Sequence, residues 1–117
     1  MRDYKHLEIW QRGINLTIQI YDLTKEFPSE ERFGLTSQLR RAVSSIPINI
    51  AEGCGRDTLK DFAHFLQIAL GSLFEVESEL IIAQKLGYVR TGTEVLATEI
   101  TELKKMIDSY KTKLQRI

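Results

Sequence analysis

Side chains with chemical reach are few and far apart. The imidazoles and thiols together number three, His6, His64 and Cys54, in 117 residues. A di-metal helical bundle uses Glu-x-x-His pairs, and the residue three before each histidine is an aspartate. Gly53-x-Gly55 opens like a dinucleotide loop, but Thr58 stands where its third glycine belongs, and no Gly-x-x-x-x-Gly-Lys run exists. Ser44-Ser45 lack the glycines of a nucleophile elbow, and Cys54 has no histidine close to it in sequence. His64 falls opposite the apolar side of its segment, as a solvent-facing histidine. The chain is therefore expected to be no enzyme, with no catalytic residue, metal site, cofactor or small-molecule substrate.

Two other groupings could bind. Gln38, Arg41, Ser45, Asn49, Glu52 and Arg56 recur at three- and four-residue steps, which is one line along a helix. Ser72, Glu75 and Glu79 repeat the pattern downstream, and a hairpin turning near residue 57 sets Arg41 level with Glu75 and Gln38 level with Glu79. An Arg41–Glu75 pair across two helices would fix register more than it stabilises. Asn49, next to Pro47, could bond the carbonyl that a helical proline leaves free. Basic residues gather at Arg40-Arg41, at Arg56 and Lys60, and in the last fourteen residues, where Lys104, Lys105, Lys111, Lys113 and Arg116 face only Asp108. Lysines at a helix end also complement its dipole, which is their first expected role; contact with nucleic acid is their second. No aromatic residues interleave with these charges as a base-stacking platform would require.

The elements that must position these groups are helices. Apolar residues recur every three or four positions, and no useful stretch alternates with the period of a strand. A first helix is expected from Asp3 to Glu26, before Phe27-Pro28. A second follows an N-cap at Thr36, carries Leu39, Ala42, Val43, Ile46, Ile50 and Gly53 on one face, bends at Pro47 without breaking, and ends at Gly53-Cys54-Gly55. Thr58-x-x-Asp61 has capping-box spacing and Gly87 suits a left-handed C-terminus. Between them lies a third helix of about twenty-eight residues, on the order of 40 Å long. Its inward side is Phe62, Phe65, Leu66, Ala69, Leu73, Val76, Leu80 and Ala83. Thr91-x-x-Glu94 caps a fourth, with a seam at Leu96, Ile100, Leu103, Ile107, Tyr110, Leu114 and Ile117. The fold class is all-α, an antiparallel up-down-up-down four-helix bundle of long helices, in one domain over residues 1–117.

There is more apolar surface than one core can use. The first helix carries Leu7, Trp10, Ile14, Thr17, Ile18 and Tyr21 on one side and Ile9, Gly13, Leu16, Ile20, Leu23 and Phe27 on nearly the other. With the former series placed in the core, Ile9, Leu16, Ile20, Leu23 and Phe27 become an outer face, expected to be covered by other copies of the chain. Leu70, Phe74 and Ile81 widen the third helix's stripe, and Ile48 points away from the second's. An adaptor that receives a different protein on the outer face is the alternative.

Composition narrows the rest. Sixteen basic residues balance sixteen acidic ones, so nucleic-acid binding would be local, weak and salt-sensitive. A charged start without an apolar core, the lack of any span-length apolar run, and one cysteine fit a cytoplasmic domain that contacts no membrane.

Trp10, Phe27-Pro28-x-x-Glu31, Gly34-Leu35-x-x-Gln38-x-x-Arg41-Ala42, Ser45-Ile46-Pro47-x-Asn49-Ile50-Ala51-Glu52-Gly53 and Gly71-Ser72-Leu73-x-Glu75 together resemble the four-helix-bundle proteins encoded in intervening sequences of bacterial 23S ribosomal RNA genes. The likeness spans about residues 7 to 90. It implies a homopentameric bundle without established enzymatic activity. The chain is also distantly similar to the accessory protein of diversity-generating retroelements, which implies RNA or a ribonucleoprotein as a partner. Arg41, Asn49, Glu52, Gly53, Ser72 and Glu75 match the family pattern.

Overall fold

A computed structural model describes residues 2–117. Among them are four α-helices, α1 (Glu8–Thr24), α2 (Leu35–Cys54), α3 (Leu59–Lys85) and α4 (Thr93–Gln115), with 3-10 turns at Tyr4–His6 and Ser29–Glu31 and no strand. Each helix packs on its chain neighbours, and α4 closes the ring against α1, the sparsest of the four seams. The result is the expected four-helix bundle, 46 Å long and 24 by 20 Å across. No helix is long and apolar enough to cross a membrane.

Local chemistry fixes the ends. The Thr58 hydroxyl accepts the Asp61 N–H at 3.1 Å, as the capping spacing predicts. At the other end Gly87 takes φ +81°, so that its N–H reaches the Gln84 carbonyl and that of Tyr88 reaches the Ala83 carbonyl, both at 3.0 Å. Four expected ends shift, the smallest being the end of the first helix, at Thr24 in place of Glu26. The first helix starts at Glu8, because Leu7 is extended and Asp3 caps the short Tyr4–His6 turn instead. The second starts at Leu35 behind Gly34: the Glu31 carboxylate accepts the Leu35 N–H at 3.1 Å, doing the work expected of Thr36. The fourth starts at Thr93, since left-handed Gly92 (φ +83°) turns the chain after Thr91. Pro47 lies inside one uninterrupted helix.

The core corrects the reading of α1. Leu16 and Ile20 are fully buried, Ile9 and Phe27 nearly so, and Leu23 packs on their cluster, all within a single chain. The outer side is part of the other series, where Ile18 is 58% exposed, Tyr21 is exposed, and Ile14 and Thr17 are half-buried, while Leu7 and Trp10 pack against the core. The physical reason lies in side-chain type. The buried series is aliphatic but for Gly13 and Phe27, whereas the other one includes Trp, Thr and Tyr, whose polar atoms keep a partner at a surface. The inward residues expected of α3 are buried except Phe65, which is half-buried. Leu70 joins the core, while Phe74, Ile81 and Ile48 stay exposed. The α4 seam is buried from Leu96 to Ile107, partly covered at Tyr110 and Leu114, and open at Ile117, beyond the helix end.

Candidate functional site

The two polar lines meet along the outside of the α2–α3 seam. Close approach of these helices is set at Gly53, where an added Cβ would lie 2.9 Å from Phe62 Cδ1 and from Phe65 Cβ. Ser45 Oγ is 2.5 Å from Ser72 Oγ and 2.8 Å from the Ala42 carbonyl oxygen. One helical turn along, Gln38, Arg41, Ala42, Ser45, Glu75, Ser78 and Glu79 line a groove of about 500 Å³. The expected register is therefore present, but the expected ion pair is not: Arg41 is exposed and neither it nor Glu75 belongs to an ion pair among the described residues. Glu79 is 6% exposed, and its Oε1 has no hydrogen-bond partner. Burial, and then the charge of Glu75, push its carboxyl up to about 7.

The rest of the stripe serves structure. Asn49 Nδ2 donates to the Ser45 carbonyl at 2.7 Å, and Glu52 pairs with Arg56 at 3.1 Å on the surface. The carbonyl that Pro47 frees is that of Val43, and a hydroxyl on another helix reaches it: Thr17 Oγ1 lies 3.2 Å from it and 2.8 Å from the Gly13 carbonyl oxygen, so its single proton is shared between the two. Gly13 leaves room for the proline ring, whose Cβ and Cδ would sit 3.4 Å from an added methyl. Asn49 is therefore not the partner of that carbonyl.

Half of the candidate nucleic-acid contacts are occupied within the chain. Arg40 donates to Thr24 Oγ1 at 2.9 Å and the Tyr21 carbonyl at 3.2 Å, with its guanidinium over the Tyr21 ring. Arg56 adds the Phe65 ring to its Glu52 contact. Lys104 reaches both oxygens of Glu77 at 3.0 Å and covers Phe74. Lys111 donates to Gln67 at 2.6 Å and approaches Asp108. Lys60, Lys105, Lys113 and Arg116 make no side-chain hydrogen bond or ion pair among the described residues, and Lys60 and Lys111 share a groove with His64 between the start of α3 and the end of α4.

Two clusters escaped sequence reasoning because their members lie far apart in the chain. Arg12 sends Nε and Nη2 to the two oxygens of Glu99, each at 2.8 Å, and Nη2 also to Glu102, joining α1 to α4. Those bonds hold the guanidinium more firmly protonated and keep Glu99 below the usual carboxylate range. Tyr88 OH donates to Glu31 Oε2 at 2.8 Å, which, after the stronger Leu35 bond, lowers Glu31 and raises the phenol. Burial raises the Cys54 thiol, so the unreactive thiol form prevails at neutral pH. No group of three or more metal-ligating side chains converges among the described residues.

A family model described as the 23S rRNA-intervening sequence protein matches residues 5–109. A crystal structure at 1.70 Å of a protein from Bacteroides thetaiotaomicron VPI-5482, described as of unknown function and from the S23 ribosomal protein family, superposes with a TM-score of 0.81 at 25% identity, covering 89% of this chain and 95% of that one. No curated protein matches.

Proposed function

Because the chain belongs to the 23S rRNA-intervening sequence protein family, we propose that it works as a non-enzymatic assembly module, a homo-oligomer built through the outer side of α1. The observation that carries this reading is the apolar stripe of half-buried Ile14 and exposed Ile18 and Tyr21, spaced four and three residues apart on one helix face with Ile18 58% open to solvent. A single bundle gains nothing from keeping that stripe apolar, whereas a second copy would cover it. The five-subunit ring implied by the sequence resemblance is the proposed closure.

Sedimentation velocity at tens of micromolar tests the reading. The native chain should run as an oligomer, and Ile18→Glu should run as a monomer with an unchanged helical circular-dichroism spectrum. A monomeric native chain would overturn it.

Contact with RNA is a second reading, supported by the unengaged Lys60, Lys105, Lys113 and Arg116. With few phosphates neutralised, affinity for a single-stranded RNA probe should fall steeply from about 50 to 300 mM salt. Binding that ignores salt would contradict it.

A further inference from the structure

The α2–α3 groove is lined by a carboxyl that folding leaves with an unpartnered oxygen. Glu79 is the one charged residue type buried below a tenth exposure among the described residues, and the only buried side-chain oxygen without a partner is its Oε1. Leucine or glutamine at that position would fill the same space without an isolated carboxyl, so its presence asks for a donor from outside. Glu75 lies on the same face four residues before it and has no ion-pair partner of its own. Two carboxyls lining one groove repel an anion, and the absence of a third ligating side chain argues against a metal ion. What fits is a cation with several N–H donors spread in a plane, able to satisfy both carboxylates at once.

We propose that this groove is a binding site for a guanidinium group, gripped by Glu79 and Glu75 and carried either by a small alkylguanidine or by an arginine side chain of a protein segment. About 500 Å³ admits the group with its alkyl stem. The Ala42 methyl offers the stem an apolar wall, and the Gln38 amide and Ser45 and Ser78 hydroxyls supply further acceptors around the N–H fork. Arg41 of α2 is the one cation lining the groove and Glu75 of α3 the other charge beside Glu79. Arg41 sits exposed, where it opposes an incoming cation and so sets the affinity. Binding draws Glu79 into its ionised form and releases a proton, so affinity rises with pH. The inference does not depend on the assembly proposed above.

Calorimetric titration of the full chain with n-butylguanidinium, n-butylurea and a short arginine-containing peptide amide tests it, at pH 6 and pH 8. Saturable binding of the guanidinium and not of the neutral urea is expected, tighter at pH 8 by up to about ten-fold, with proton uptake by the buffer. Glu79→Gln should weaken binding about ten-fold and abolish its pH dependence, while Arg41→Gln should strengthen it. A peptide that binds about ten-fold tighter than butylguanidinium assigns the source to a protein segment; equal affinities assign it to a small molecule. No saturable binding, equal binding of the urea, undiminished binding to Glu79→Gln, or an Arg41 Nε–H found by NMR to be bonded to Glu79 would overturn the proposal. Helical circular dichroism of Glu79→Gln guards against a folding defect.

Discussion

Thr17 and Glu79 show how single polar atoms are decided by neighbours that the sequence keeps distant. Proline inside α2 removes the donor to Val43, and the substitute arrives from α1, twenty-six residues away. Thr17→Val should cost about 1–3 kcal/mol in urea denaturation, since it strands a carbonyl at the seam; a neutral result would show that water replaces the hydroxyl. Asn49 had been the nearer candidate in sequence, and only the packing of Gly13 on Pro47 shows why Thr17 wins. Glu79 gives a pH signature. Burial pushes its carboxyl from the ordinary carboxylate range up to about 7, so its stabilising effect is complete below that ordinary range and is lost as pH rises through about 7. The loss is at most roughly 3 kcal/mol. Glu31 and Glu99 have the opposite sign: their effect is present above the ordinary carboxylate range and lost as pH falls through their lowered values. Denaturation at pH 5 and pH 8 should therefore find the native chain weaker at pH 8, and Glu79→Leu stronger there than the native chain by roughly 1–3 kcal/mol. Equal native stability at both would contradict the burial argument.

Helix ends are legible where a cap lies next to the turn it closes at Thr58-x-x-Asp61 and Gly87, though not at Thr91-x-x-Glu94, where left-handed Gly92 moves the start to Thr93. They were not legible where the cap is shared with a remote group: Glu31 serves both Leu35 and Tyr88, and no local spacing announces the second. The Gly53-Cys54-Gly55 segment marks the end of α2 as its spacing predicts, but the further role of Gly53, to let α3 approach, shows only in the packing. Gly53→Ala should destabilise by about 1–3 kcal/mol, because the added methyl meets Phe62 and Phe65 at 2.9 Å, outweighing a helix-propensity gain of at most about 1 kcal/mol. A thermal melt that rises would show that the seam yields. The α1–α4 seam depends on charge instead. Arg12→Met keeps length and loses the fork to Glu99 and Glu102, and about 1–2 kcal/mol of loss is expected, smaller in high salt.

For the whole molecule, fold class and helix order followed from periodicity, because every helix carries an apolar stripe and the connections are too short for any arrangement but neighbours in turn. The facing of α1 did not follow, since two stripes about 200° apart compete and their periods are equal. Side-chain type, aliphatic against amphipathic, was the available discriminator. The α2–α3 groove was legible as a line of polar residues in register, whereas the orphaned oxygen within it required the packed side chains.

A bundle whose fourth rod is strapped to the first by one guanidinium across their thin contact will not melt evenly. Amide deuteration should sweep α4 well before α2, and Arg12→Met should widen that gap while leaving α2 protection almost untouched. Such a lopsided ladder of opening would make the carboxy-terminal rod the fastener that every other part of the molecule can lose first.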